Sequence, residues 1–104
     1  MNKDYKLIIQ SRDVVLSKSE PMSMIKAIKN LLTRLKEFNA LGCLNSCEFV
    51  DTMNPFTGET LTKRFVVSVT VPNTTFTIKK MSKGSINREV FVSNLNNIKE
   101  KYYD

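Results

Sequence analysis

Apolar and polar positions alternate along residues 63–71. Phe65, Val67, Val69 and Val71 fall on one side and Val66, Ser68 and Thr70 on the other, the two-residue period of a half-buried β-strand. Pro72 and Asn73 interrupt it. A second alternation follows, with Phe76 and Ile78 on one side and Thr75, Thr77 and Lys79 on the other, which predicts a hairpin. After Lys80, the run Met81-Ser82-Lys83-Gly84-Ser85 leads into a helical pattern in which Ile86, Val90, Leu95, Ile98 and Tyr102 recur, with Phe91 beside Val90. A hairpin therefore feeds a helix whose first turns are basic.

Upstream, residues 6–10 and 13–16 hold two short apolar clusters, Leu7-Ile8-Ile9 and Val14-Val15-Leu16, which predict one or two strands. They could form a small hairpin, extend an edge of the main sheet or make a dimer contact. Ser19 and Pro21 punctuate a helix start, with Ser19 as cap and Pro21 in the first turn. Met24, Ile25, Ile28, Leu31, Leu32, Leu35 and Phe38 then share one helix face, while Lys26, Asn30 and Arg34 make a polar stripe opposite, with Thr33 and Glu37 between them. The apolar stripe reads as core. The polar one is either a solvated face or a phosphate and sugar contact. Gly42, suited to a positive φ, ends the helix. Residues 47–51 predict another strand with Phe49 and Cys47 inward. Residues 52–60 carry Pro55 and Gly58 and predict a loop, with Phe56 tucked under the sheet rather than offered to a partner.

The expected fold class is α+β: an antiparallel sheet of three or more strands, two helices packed on one of its faces, and one or two extra N-terminal strands. A chain of 104 residues, 41% hydrophobic and 25% charged, has material for one core. It reads as a single domain, 1–104, with 1–18 an N-terminal strand extension and 19–104 the α-β-β-β-α core.

Charge narrows the partners. A net charge of +6 favours a polyanion over a basic protein. The chain has no histidine, no Gly-rich phosphate loop, no paired-carboxylate motif and no activated Ser or Cys constellation, so it reads as a non-enzyme without cofactor. Cys43 and Cys47 stand at CxxxC spacing and would need two further ligands to hold zinc; packed thiols in a reducing compartment are the preferred reading, with no metal. Neither a signal peptide nor a transmembrane run is visible, which predicts the cytoplasm of a cell or infected host and no membrane partner. Abundant Asn, Lys and Ile suit an AT-rich genome such as that of many viruses and phages.

The order helix, three strands, helix, with a basic start to the last helix, resembles the double-stranded RNA-binding domain. The resemblance covers roughly residues 31–98. Phe65-Val66-Val67-Ser68-Val69-Thr70-Val71 and Thr75-Phe76-Thr77 are similar to the family's second and third strands, and Leu31-Leu32, Leu35 and Val50 can be laid on its first helix and first strand. Of its Lys-Lys-x-Ala-Lys segment the first Lys stands here as Lys83, followed by Gly84, Ile86 and Asn87 at the other defining positions. The resemblance implies binding of duplex RNA by shape and phosphate contact, with duplex DNA second. It implies Lys83 and Arg88 on phosphates beside free helix N–H groups, with Lys79 and Lys80 adding attraction. It further implies Asn30, Thr33, Arg34 and Glu37 facing one minor groove, Lys26 at its phosphate edge, and the loop with Asn54 and Thr57 facing the other. The alternative is a small protein-interaction module, either a viral or phage binder of a host factor or a homodimer built through the N-terminal strands.

Overall fold

A computed structural model of the chain describes residues 3–102. Alternation at residues 65–69 and 76–78 produces the expected hairpin, formed by strands β4 (Thr60–Val69) and β5 (Thr74–Lys80). Phe65 stands across from Ile78, and Val67 from Phe76. All four are buried on one face, so the cross-strand pairs and the core are the same contacts. Strand β1 (Tyr5–Ser11) pairs with the free side of β5, placing Leu7 against Ile78 and Ile9 against Phe76, and β2 (Val14–Lys18) folds back along β1. Strand β3 (Glu48–Met53) pairs with β4. The result is an α+β fold on a five-stranded antiparallel sheet in the order β2-β1-β5-β4-β3.

Helices α1 (Met24–Glu37) and α2 (Arg88–Lys99) bring Ala27, Ile28, Leu31, Leu32, Leu35, Phe91, Leu95 and Ile98 into one core with that sheet face. Phe91 is the anchor of α2, its ring 4.6 Å from Phe65 and 5.5 Å from Phe49 between centroids. A 3-10 turn over Leu41–Ser46 closes the far end with Leu44 buried, and another, Glu100–Tyr102, follows α2.

Several sequence expectations move. The N-terminal residues are not an appendage, because β1 is an interior strand and Tyr5, Leu7 and Ile9 are core. The cap of α1 is Ser23, whose hydroxyl accepts from the Lys26 N–H, while the Ser19 hydroxyl accepts from the Leu7 N–H and ties the connecting segment to β1. The positive φ after α1 belongs to Asn39, at 54°, rather than to Gly42, which lies inside the 3-10 turn. In α2 the buried register is Phe91, Leu95, Ile98; Val90 is exposed because Asn87 caps the helix and its first turn starts at Arg88. Val71 lies beyond the end of β4 and is exposed, and Ile25 and Phe38 also keep substantial exposure. Phe56 is 96% exposed instead of tucked under the sheet, in a loop closed on itself by hydrogen bonds from the Asn54 N–H to the Glu59 carbonyl and from the Gly58 N–H to the Asn54 carbonyl.

Candidate functional site

Every strand residue that alternates with the core row faces away from the helices. The pairing registers align these residues in three rows across the open face. One row runs Lys6, Lys79, Arg64, Val50; the next Lys18, Ile8, Thr77, Val66, Glu48; the third Val15, Gln10, Thr75, Ser68. The first row sets three cations directly opposite one another on adjacent strands, spanning roughly 10 Å at the usual strand spacing. Among the described residues, Lys6, Lys79 and Arg64 make no side-chain hydrogen bond and no ion pair. Like charges in direct cross-strand register destabilise a sheet. The arrangement therefore costs stability, and among the described residues of these rows Glu48, at the far edge of the neighbouring one, is the carboxylate.

The lead-in to α2 treats its cations differently. In the β3–β4 pairing Val50 stands across from Arg64 but Asp51 stands across from Thr62, so Lys63 is an extra residue, a β-bulge. The bulge turns Thr62 to the helix side, where its hydroxyl donates to Asp51 Oδ1 at 2.6 Å. Arg88 donates to the same carboxylate at 2.8 Å and to the Thr62 hydroxyl at 3.1 Å, and its guanidinium lies 5.2 Å from the Phe49 ring centre. The Thr62 hydrogen bond, followed by the Arg88 charge, holds the Asp51 carboxyl below its ordinary range. Lys63 itself donates to the carbonyls of Ser82 and Gly84, folding residues 82–84 over the sheet end. Partial burial, then repulsion from Lys80 and Lys79, lowers its pKa, an electrostatic sign that cations crowd this end. Lys80 pairs with Asp4 at 3.7 Å and lies over the Tyr5 ring. Burial and the same Asp4 raise the Tyr5 phenol.

The residues expected as a site are thus dispersed. Lys79 alone among them lies on the open face. Lys83 is exposed, whereas Arg88 and Lys80 are held in the contacts just described. On α1, Lys26 is exposed, Arg34 pairs with Glu37 at 3.8 Å, Thr33 shares a hydrogen bond with the Tyr102 hydroxyl, and Asn30 donates to the Met22 sulfur at 3.2 Å. Asn30, Thr33 and Arg34 line a shallow cavity of about 230 Å³ with Leu7, Ile9, Ser17 and Ser19, on the side of the sheet opposite Lys79. Asn54 and Thr57 are used inside their loop, accepting from the Phe56 and Glu59 N–H groups. Lys6, Arg64 and Lys18 are the residues that sequence reasoning missed. Two-residue alternation marks Lys6 and Arg64 as polar positions of their strands, and only the register makes them neighbours of Lys79.

Exposure also singles out two other places. Val14, Val15 and Leu16 on the edge strand β2 are each more than half exposed, and Phe56 stands free at the tip of the β3–β4 hairpin. A fully covered phenylalanine is worth about 1.5–3 kcal/mol, which this ring forgoes. Cys43 and Cys47 are half-buried free thiols against the core, the latter with its pKa raised chiefly by burial. Among the described residues no group of three or more His, Cys, Asp or Glu side chains could hold a metal ion, and no helix is long and apolar enough to cross a membrane. Compared with known protein families, with proteins of curated function and with solved structures, the chain matches none.

Proposed function

We propose that this protein is a non-catalytic nucleic-acid-binding protein of the cytoplasm of a cell or infected host, taking duplex RNA first and duplex DNA second. The observation that carries this reading is the unpaired row Lys6, Lys79, Arg64. A polyphosphate backbone relieves its repulsion and releases counterions as it binds. A duplex fits better than a single strand on this face, because single-strand binders rely on aromatic platforms and the three rows offer Lys, Arg, Thr, Ser, Gln, one Glu and aliphatic side chains. RNA is placed first because the order α1, β3, β4, β5, α2 resembles that of the double-stranded RNA-binding domain; the surface proposed here is a different one, the open sheet face in place of the helix side that the resemblance implies. Lys18, at the β2 end of the neighbouring row, extends the positive region beyond the row.

Fluorescence-anisotropy titration of an RNA duplex, its DNA equivalent and single-stranded RNA, each at two salt concentrations, tests the proposal. Salt-dependent binding that favours the RNA duplex supports it, and no binding to any of the three at low salt removes it. A second reading has its own observation in the exposed Val14, Val15 and Leu16 of β2, which among the described residues is an edge strand of the sheet. Such an edge accepts a strand from a protein partner or a second copy. Size-exclusion chromatography with light scattering over a concentration series distinguishes a homodimer from a monomer.

A further inference from the structure

We infer that the tip of the β3–β4 hairpin is a base-stacking element, which lays Phe56 against a base that an otherwise double-helical nucleic acid leaves unpaired, as at a bulge. The inference rests on the nucleic-acid reading and adds to it a class of target. Phe56 is exposed on a backbone that is not loose. Asn54 donates to the Glu59 carbonyl and Gly58 to the Asn54 carbonyl, both at 2.8 Å, while the Asn54 side chain accepts from Phe56 and the Thr57 hydroxyl accepts from Glu59. Gly58 supplies the left-handed φ of 73° that closes the turn. Four hydrogen bonds within six residues thus fix the backbone and leave the ring uncovered. A ring presented in this way loses little further freedom on binding.

The other phenylalanine rings among the described residues are committed to the core or lie against it. Phe38, the next most exposed at 37%, meets Phe76 edge-on. Phe56 is therefore the one ring among them offered with both faces free. Arg64 lies on the same hairpin, roughly 15–20 Å back along the strands at the usual rise per residue. One short duplex seated on the basic row can therefore also touch the tip. Within a continuous duplex the faces of each base are covered by its neighbours, so a protein ring finds a free π-face only where a base is unstacked.

The test uses the full chain and two RNA duplexes that differ only by a single bulged 2-aminopurine. Expected are tighter binding to the bulged duplex by about tenfold, a change in 2-aminopurine fluorescence, loss of that preference in Phe56→Ala and its retention in Phe56→Trp. The ring touches no core residue, so both variants should unfold in urea as the parent chain does. Equal affinity for the two duplexes, or a preference that survives Phe56→Ala, overturns the inference while paired-duplex binding still stands. If neither duplex binds, the nucleic-acid reading itself falls and this one with it.

Discussion

The lead-in to α2 and the open face of the sheet carry cations of the same kind in opposite circumstances. At the lead-in, Arg88 is bonded to Asp51 and Thr62, Lys63 to the carbonyls of Ser82 and Gly84, and Lys80 to Asp4. On the open face Lys6, Lys79 and Arg64 are set side by side without a partner among the described residues. Charge at the first place holds segments of the chain together; at the second it works against the sheet. A basic residue that opposes its own fold is the better candidate for an external anion, and that criterion is why the proposed interface is the sheet face rather than the helix start.

The comparison can be broken most forcefully from the core side. Phe91→Ala removes the ring that joins α2 to Phe65 and Phe49 and should cost about 3–5 kcal/mol in urea unfolding. Lys6→Ala, Arg64→Ala and Lys79→Ala should each stay within about 0.5 kcal/mol of the parent, with the sign towards greater stability. Destabilisation by any of these three comparable to that of Phe91→Ala would mean the open-face cations are structural after all.

A smaller effect separates the two regions by pH. The Asp51 carboxyl is held below its ordinary value of 3.8, so its contribution to stability is present above that value and disappears as pH falls through its folded pKa. Acid titration of unfolding free energy from about pH 5 downward should show that loss, and Asp51→Asn should flatten it. An unchanged profile in the variant would detach Asp51 from the α2 contact.

The smallest expected effect links the regions. Burial first, then Lys80 and Lys79, lower the Lys63 pKa from 10.5, so the folded chain releases this proton more readily than the unfolded one and stability should rise with pH between the folded value and 10.5. Lys79→Ala should raise the Lys63 pKa part of the way back, followed by NMR titration of its side chain. No movement would show that the two cations do not share a field.

Much of this architecture was legible from period alone, because Phe65, Val67, Phe76 and Ile78 obey a two-residue alternation that the core makes obligatory. Helix α1 was equally plain from Ile28, Leu31, Leu32 and Leu35. What periodicity could not supply was pairing across the sheet. Nothing local says that β1 inserts between β2 and β5, and without that neighbour relation Lys6 and Lys79 are merely two lysines far apart in sequence. The bulge at Lys63 was likewise silent, since one extra residue changes which way Thr62 points without changing composition. Val90 against Phe91 failed for a different reason: two adjacent apolar residues fit a helical pattern equally well, and the cap at Asn87 decides which one turns inward. Phe56 was misplaced because apolarity favours burial on average, whereas its own loop is closed by hydrogen bonds that leave the ring outside.

The most direct test of the central claim is the salt dependence of RNA-duplex affinity for the parent chain and for the combined variant Lys6→Ala, Arg64→Ala, Lys79→Ala. If the open face is the phosphate-binding surface, the slope of log affinity against log salt falls in magnitude by about one for each cation that contacts a phosphate, while the unfolding transition is kept or raised. A variant that binds with the parent's affinity and slope would contradict the account and move the interface off the sheet.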